Sequence, residues 1–297
     1  MSSSRHIAPP LTPSAGLPPT VGAAIAQGAV RLAASGIAES RREARLILGL
    51  ALSVDPGALF AWPERALDDA ARAQFETLIR RRAGREPFSR LKGSREFWSL
   101  EFALSPETLD PRPDSETLIE AALEGIADRG APLHVLDLGT GTGCLLLALL
   151  SELPRATGLG IDRLPGAVAT ARRNAARLGL DGRAQFREGD WGREIPGPVD
   201  VILANPPYIE SEEVSRLAPE VAFEPRLALD GGADGLDAYR VLAPAIARLL
   251  APGGFACIEV GFGQSAAVVA LLSESGLKIW SLRPDLSGNP RCLVAEH

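Results

Sequence analysis

The second part of the chain alternates apolar, strand-like runs with segments of helical periodicity. Strands that alternate with helices are typical of a parallel, doubly wound sheet. The predicted strands are Leu133–Leu138, Gly158–Ile161, Ala184–Phe186, Val199–Ala204, Gly254–Val260, Leu277–Leu282 and Arg291–Ala295. The link between the last two is too short for a crossover helix. The pattern therefore predicts an α/β fold whose sheet has seven strands, the final one antiparallel to its neighbours.

The first part of the chain has a different pattern. After Thr20, apolar residues recur at helical spacing, which predicts a small helical bundle. An alternating apolar pattern at Ser94–Leu104 predicts a β-hairpin. Met1–Thr20 is rich in Pro and Ser and has no apolar signal core. The predicted division is a disordered tail at 1–19, a helical substrate-recognition domain at 20–86, and a catalytic domain at 87–297 that begins with a hairpin and linker at 87–112.

The composition excludes several classes of protein. An apolar fraction of 46% in 297 residues supports a sizeable core, and a net charge of −6 argues against a broad nucleic-acid surface. Cys144, Cys257 and Cys292 are widely spaced, so neither a metal site nor a disulfide framework is predicted. No apolar run reaches transmembrane length. We expect a cytoplasmic protein that is a monomer and does not bind membranes.

A glycine-rich loop follows the first predicted strand. Glycines permit positive φ and allow the backbone to approach a ligand closely. The spacing is GxGxG rather than the GxGxxG of dinucleotide enzymes, and an acid precedes the first glycine. A carboxylate suits an ammonium group and not a pyrophosphate, so the loop favours S-adenosylmethionine. The predicted cofactor residues of this loop are Asp137, Gly139, Thr140, Gly141, Thr142 and Gly143.

Acidic residues also end the next two predicted strands. Asp162 stands where a carboxylate accepts hydrogen bonds from a ribose diol. The alternative is an acid that caps the helix beginning near Pro165. Asp190 is predicted to accept from an adenine amino group, and Trp191 to lie against the adenine ring.

The stretch Asn205-Pro206-Pro207-Tyr208 follows the apolar run Val199–Ala204. Proline cannot donate to a strand ladder, so the strand must stop and leave an amide, free carbonyls and a ring at the sheet edge. Open α/β sheets bind ligands at this edge. The alternative is a turn that merely ends the strand.

Two further segments carry charged candidates. Arg112 lies in a proline-fixed loop, where it either forms a salt bridge within that loop or binds a ligand carboxylate. In the same loop, Asp114 or Ser115 is predicted to cap the following helix. Glu224 is predicted to contact the substrate or, equally, to pair with Arg226.

Together, DLGTGTG, the strand-end Asp162, GDW and NPPY resemble class I S-adenosylmethionine-dependent methyltransferases. Because amino DNA methyltransferases share NPPY, that motif alone leaves the substrate open. Three further segments are similar to the HemK/PrmC family of protein-glutamine N5-methyltransferases. They are Arg95-Glu96-Phe97-Trp98, the Pro111-Arg112-Pro113 loop, and Phe223–Gly232 followed by Asp234-Gly235-Leu236.

This resemblance implies methylation of the glutamine in the Gly-Gly-Gln (GGQ) loop of class 1 peptide chain release factors. Catalysis would fall to Asn205, Pro206, Pro207 and Tyr208, with Asn205 also beside the cofactor. Arg112 and Glu224 would complete the substrate site.

Three other functions stay open on the sequence alone. A sister family methylates a ribosomal protein glutamine. Adenine-N6 methylation of DNA is disfavoured by the acidic balance and the lack of a basic recognition domain. A module that only docks a release factor is disfavoured by the intact NPPY.

Overall fold

The computed structural model describes residues 20–285 and 287–297, so the predicted tail at 1–19 lies outside the described part. The chain divides into two compact units between Lys92 and Gly93. This division follows a short helix, Phe88–Lys92, which lies in the segment predicted as hairpin and linker at 87–112. Within the described ranges, no helix is both long and apolar enough to cross a membrane.

The first unit is helical. Its helices are α1 (Val21–Ala34), α2 (Ser40–Leu52), α3 (Asp69–Ala83) and α4 (Phe88–Lys92). Two begin at residues whose side chains accept a backbone N–H: Thr20 accepts from Ala23 at 3.3 Å and Asp68 from Ala71 at 2.8 Å. The core between the helices includes Leu32, Ile47, Leu48, Phe75 and Ile79, all fully buried.

The second unit contains a hairpin, a seven-stranded sheet and the helices that cover it. The hairpin strands are β1 (Ser94–Phe97) and β2 (Leu100–Ala103). The sheet strands are β3 (His134–Leu138), β4 (Thr157–Asp162), β5 (Ala184–Glu188), β6 (Val199–Ala204), β7 (Leu250–Glu259), β8 (Lys278–Pro284) and β9 (Pro290–Glu296). The helices are α5 (Glu116–Gly125), α6 (Cys144–Glu152), α7 (Pro165–Arg177), α8 (Ser211–Val214), α9 (Asp237–Leu249) and α10 (Ser265–Glu274).

The strand order is β5-β4-β3-β6-β7-β9-β8. The first five of these strands are parallel, and β9 runs antiparallel to both β7 and β8. The predicted seven-stranded sheet with an antiparallel final strand is therefore confirmed. The order reverses between β3 and β6, and ligands of open α/β sheets bind at such a switch point.

Each face of the sheet is covered by helices. Apolar residues of α5, α6 and α7 form one core cluster with strand residues such as Val135 and Val201. Residues of α9 and α10 form the other cluster with Leu136 and Ile202. Neighbouring residues of one strand thus enter opposite cores, as the alternation of strand side chains requires. The residues that follow β3, β4, β5 and β6 line a cavity at the carboxyl ends of these strands.

The segment Arg95–Trp98 forms the end of β1 and the first residue of the hairpin turn. Trp98 and Ser99 both have positive φ, 52° and 57°, without being glycine. The Trp98 backbone N–H donates to Glu116 at 2.7 Å, and its indole N–H donates to Glu152 at 2.8 Å. These bonds to α5 and α6 offset the strain of the turn.

Candidate active site

The glycine loop after β3 is held by backbone hydrogen bonds to β4. The N–H groups of Gly139 and Thr140 both donate to the Ile161 carbonyl at 2.9 Å. Gly139, Gly141 and Gly143 all have positive φ, and a side chain on Gly141 would enter open space. Glycine therefore suits position 141 because of its positive φ and not because a side chain would clash. The loop exposes backbone without side chains to a ligand.

Asp137 lies under this loop and is 1% exposed. Its Oδ2 accepts from the Thr140 hydroxyl at 2.5 Å, whereas its Oδ1 has no hydrogen-bond partner among the described residues. Burial raises the pKa of this carboxyl from 3.8 to about 7, and the nearby Asp162 charge acts in the same direction. A buried carboxylate with an unsatisfied oxygen is costly unless a cation or donor reaches it.

Asp162 stands at the end of β4 and already accepts two backbone N–H groups. Its Oδ2 accepts from Gly141 at 2.8 Å and its Oδ1 from Leu164 at 2.9 Å. The N-cap of α7 is Leu164, so the alternative in which Asp162 caps that helix is wrong. Each carboxylate oxygen has a second lone pair, which leaves Asp162 able to accept from a diol. Burial raises its pKa.

A cavity of about 370 Å³ opens at the carboxyl ends of β3, β4, β5 and β6. The predicted cofactor residues on its wall are Gly139, Thr140, Gly141, Thr142, Asp162, Asp190, Trp191 and Asn205. Asp137 and Gly143 are not among the residues that line this cavity. Gly143 is the N-cap of α6, and a side chain there would meet Leu147, Ala171 and Phe186 at 3.2 Å.

A second cavity of about 160 Å³ adjoins the first. Pro206 and Tyr208 line only the smaller cavity, Pro207 lines only the larger one, and Asn205 lines both. The stretch after β6 therefore does more than end a strand, because it forms the partition between two cavities. Asn205 is the residue of that stretch that reaches into both.

The backbone after the partition is fixed by a closely packed segment. The Ile209 N–H donates to Leu229 at 3.0 Å, and the Gly231 N–H donates back to Ile209 at 2.8 Å. A side chain on Gly231 would stand 2.8 Å from the Tyr208 Cα and 2.9 Å from the Pro207 carbonyl. Glycine is thus required at 231 for this approach.

Arg112 and Glu224 pair with each other, the guanidinium 2.5 Å from the carboxylate. Arg112 lines both cavities, whereas Glu224 is buried behind it and also accepts from the Asp110 N–H at 3.2 Å. The predicted salt bridge of Arg112 within its own loop is therefore wrong. The predicted pairing of Glu224 with Arg226 is also wrong, since Arg226 pairs with Asp230.

The surroundings of Ser115 were not predicted from the sequence. Ser115 is the N-cap of α5, yet its side chain makes no capping bond, so the predicted cap is wrong. Its hydroxyl donates instead to Glu259 Oε2 at 2.5 Å, and it accepts from Asn205 Nδ2 at 3.0 Å. Glu259 is 1% exposed at the end of β7, and its Oε1 accepts from the Tyr208 hydroxyl at 3.3 Å.

A signal for Glu259 was present in the sequence. It ends the apolar run Phe255–Ile258, just as Asp137 and Asp162 stand at the ends of their strands. Burial raises the pKa of the Glu259 carboxyl. Hydrogen bonds from the Ser115 and Tyr208 hydroxyl groups and the charge of Arg291 lower it. Burial also raises the pKa of the Tyr208 phenol, and the Glu259 charge adds to that effect.

Comparison with known proteins gives matches over both units. Residues 23–93 match the family model described as PrmC N-terminal domain, and residues 130–269 match the one described as Methyltransferase domain. A release factor glutamine methyltransferase of Rhodospirillum rubrum is 49% identical over 93% of this chain and 84% of its own length. The chain belongs to the release factor glutamine methyltransferase family. It is an S-adenosylmethionine-dependent methyltransferase.

Two other members of the family give the same result. The protein of this name from Cereibacter sphaeroides is 46% identical over 89% of this chain and 94% of its own length. That from Bradyrhizobium diazoefficiens is 43% identical over 90% of this chain and 91% of its own length. The predicted family, fold class and cofactor are confirmed.

The residues around the larger cavity fit this methyl donor. The unsatisfied Oδ1 of Asp137 suits an ammonium group, and the open backbone at Gly141 leaves room for an amino-acid moiety. Trp191 packs close to Gly139, where a side chain would stand 3.4 Å from its ring. No acidic or cysteine-rich cluster with metal-binding geometry occurs among residues 20–285 and 287–297.

Proposed function

We propose that this protein transfers the methyl group of S-adenosylmethionine to the side-chain amide nitrogen, N5, of a glutamine. We further propose that this is the GGQ glutamine of class 1 peptide chain release factors. The observation that supports the reaction best is the position of Asn205 in the wall between the two cavities. The substrate class is supported by relatives whose names specify a release factor glutamine.

In this proposal, the larger cavity holds the cofactor. Asp137 and the backbone of the glycine loop bind its amino-acid end, with Thr140 and Thr142 along the same wall and Gly143 fixing the start of α6. Asp162 accepts from the ribose hydroxyls, Asp190 accepts from the adenine amino group, and Trp191 packs against the ring. When bound, the cofactor would supply an electrophilic methyl group on its sulfonium sulfur; transfer would break the sulfur–methyl bond, leave S-adenosylhomocysteine and release one proton from the methylated nitrogen.

The smaller cavity then holds the acceptor glutamine. An amide nitrogen is a poor nucleophile because its lone pair is delocalised into the carbonyl. Asn205 Oδ1 and the Pro206 carbonyl accept its two N–H hydrogens and orient the lone pair toward the methyl group. Pro207 keeps this backbone rigid, and Tyr208 packs on the glutamine stem. Positioning of this kind accounts for several orders of magnitude in rate.

Arg112 and Glu224 act together in the acceptor site. Arg112 is on the wall of both cavities, and the buried carboxylate of Glu224 holds its guanidinium in place. Glu224 therefore contributes to substrate binding through Arg112 rather than by direct contact.

One assay separates the possible acceptors. The protein is incubated with methyl-labelled S-adenosylmethionine and, separately, with a release factor, a ribosomal protein or DNA. We expect label in the release factor alone, and none when its GGQ glutamine is replaced by alanine. Label in the ribosomal protein or in DNA would contradict the proposed substrate. Cofactor binding without label in any acceptor would indicate a docking module.

A further inference from the structure

Three side chains from separate elements form a continuous hydrogen-bonded chain beside the acceptor site. Asn205 Nδ2 donates to Ser115 Oγ at 3.0 Å, and Ser115 Oγ donates to Glu259 Oε2 at 2.5 Å. Asn205 follows β6, Ser115 precedes α5 and Glu259 ends β7. Ser115 and Glu259 are 2% and 1% exposed, so bulk water does not compete for their bonds.

The direction of this chain follows from donor and acceptor chemistry. Glu259 accepts from two hydroxyl groups, those of Ser115 and Tyr208, and a serine hydroxyl has a single hydrogen to donate. Because Ser115 gives that hydrogen to Glu259, its oxygen can only accept from Asn205. The amino end of the Asn205 amide must therefore face Ser115, which turns Oδ1 toward the cavities.

The two ends of an asparagine amide have almost the same shape, so packing alone does not distinguish them. If the Asn205 amide were flipped, its amino group would face the amide nitrogen of the substrate glutamine. It would then present hydrogen-bond donors where the substrate N–H needs a hydrogen-bond acceptor. The geometry points to Ser115 and Glu259 as positioning residues that hold the Asn205 carboxamide with its oxygen toward the substrate amide. This inference rests on the proposed function, in which Asn205 Oδ1 accepts a substrate N–H.

The same carboxylate also fixes the far end of the NPPY stretch. Glu259 Oε1 accepts from the Tyr208 hydroxyl at 3.3 Å. The Tyr208 carbonyl accepts from Gln264 at 2.9 Å, which holds its backbone. Glu259 is therefore hydrogen-bonded directly to the Tyr208 side chain and, through Ser115, to the Asn205 side chain.

A purely structural role for Ser115 does not explain these contacts. Ser115 makes no side-chain capping bond to α5, although it occupies the N-cap position. Its hydroxyl is committed to two polar groups that lie 90 and 144 residues away in the sequence.

The test compares Ser115→Ala, Ser115→Thr and Glu259→Met in methyl transfer to an intact release factor. We expect Ser115→Ala and Glu259→Met to lower kcat by about 10- to 100-fold, the range typical of a lost supporting contact. Ser115 lines the larger cavity and Glu259 the smaller one, but the proposed cofactor and glutamine contacts are made by other residues. The Kd for S-adenosylmethionine and the KM for release factor should therefore change by less than about threefold. Ser115→Thr keeps the hydroxyl and should restore most of kcat.

The matched control is Ser94→Ala. Ser94 is also a buried serine that donates to a glutamate, Glu101, at 2.9 Å, but it lies in the β1–β2 hairpin. This variant should retain kcat. An equal loss of kcat in Ser94→Ala and Ser115→Ala would indicate a general effect on the fold and overturn the assignment.

A double variant tests whether Ser115 acts through Asn205. Adding Ser115→Ala to Asn205→Ala should cause no further loss of kcat beyond about twofold, because residues that act as a unit are not additive. A full additional loss would show that Ser115 acts elsewhere and contradict the inference.

A measurement without turnover separates this inference from the proposed function. In isotope-labelled protein, the side-chain amino group of Asn205 should show a nuclear Overhauser contact to the Ser115 β-protons. The amino-group resonances should shift in Glu259→Met. If that contact is present but the unmodified protein methylates no release factor, the proposed function fails and the orientation stands. If the contact is absent, or if Ser115→Ala retains kcat, the inference is overturned.

Discussion

Replacing Asp137 by asparagine is expected to change the pH dependence of stability and to weaken cofactor binding. The carboxyl is buried, and its pKa is raised from 3.8 to about 7 chiefly by that burial. The substituted carboxamide would have nearly the same shape but no charge, and it can still accept from Thr140. The variant thus isolates the free-energy cost of a buried ionised group.

The sign follows from proton linkage. As the pH rises above 3.8, the unfolded chain loses this proton, whereas the folded protein keeps it until about pH 7. The free energy of unfolding of the parent is therefore higher at low pH, and it decreases as the pH rises from the unfolded-state pKa to the folded-state pKa. At 1.36 kcal/mol per pH unit, the free energy of unfolding of Asp137→Asn relative to the parent should increase by about 2.5 kcal/mol from about pH 5 to about pH 8.

The assay is urea-induced unfolding of the cofactor-free protein, followed by tryptophan fluorescence at both pH values. Asp181→Asn is the matched control, because Asp181 is an exposed aspartate in the connection before β5. The pH-dependent difference of Asp137→Asn from the parent should be clearly larger than that of this exposed-site control. A difference for Asp137→Asn that does not change with pH would refute the reasoning, since Asp137 would then ionise alike in the folded and unfolded states.

The same variant tests the role of Asp137 in binding. If its carboxylate holds the cofactor ammonium, calorimetric titration at about pH 8 should show affinity for S-adenosylmethionine that is about 10- to 100-fold weaker, the usual value of a hydrogen bond between charged groups. Unchanged affinity would exclude this contact.

Three further experiments test the catalytic role of Asn205, the buried ion pair of Arg112 and the role of the helical unit. Asn205→Ala should lower kcat by about 100-fold or more, as for other lost positioning contacts. The Kd for cofactor, measured by calorimetry, should stay within about twofold of the parent value. Near-normal turnover would contradict the proposed mechanism. Arg112→Met should lower the free energy of unfolding by about 1–3 kcal/mol because it leaves the buried Glu224 carboxylate unpaired. Arg226→Met breaks an exposed pair and should cause a clearly smaller loss in the same denaturation assay. Deleting residues 1–92 should retain cofactor binding but greatly reduce methylation of intact release factor; full activity would show that the helical unit does not supply specificity.

The positions of the strands along the chain and the antiparallel direction of the last one could be predicted from the sequence because they depend on local patterns, whereas the spatial order of the strands was not predicted. Apolar runs such as Val199–Ala204 show where strands lie, and short or long connections fix their relative direction. The cofactor loop was predictable for the same reason, since its glycines and Asp137 are adjacent in the chain. The relation of NPPY to a sheet edge also followed from proline chemistry at the end of a strand.

The contacts that support the site could not be predicted in this way. Ser115 and Glu259 are 144 residues apart, and Arg112 and Glu224 are 112 apart. Local spacing contains no information on such pairs, so a neighbour such as Arg226 was as plausible a partner for Glu224 as Arg112. A serine just before a helix also predicts a cap, and only the fold reveals that Ser115 faces Glu259 instead.

The most direct test of the central claim is to locate the methyl group by mass spectrometry. A class 1 release factor is incubated with this protein and S-adenosylmethionine, digested and sequenced by fragmentation. The account predicts one added methyl on the side chain of the GGQ glutamine, formed about 100-fold or more slowly when Asn205→Ala replaces the parent protein. A methyl on another residue, or the same modification with Asn205→Ala at the parent's rate, would contradict it.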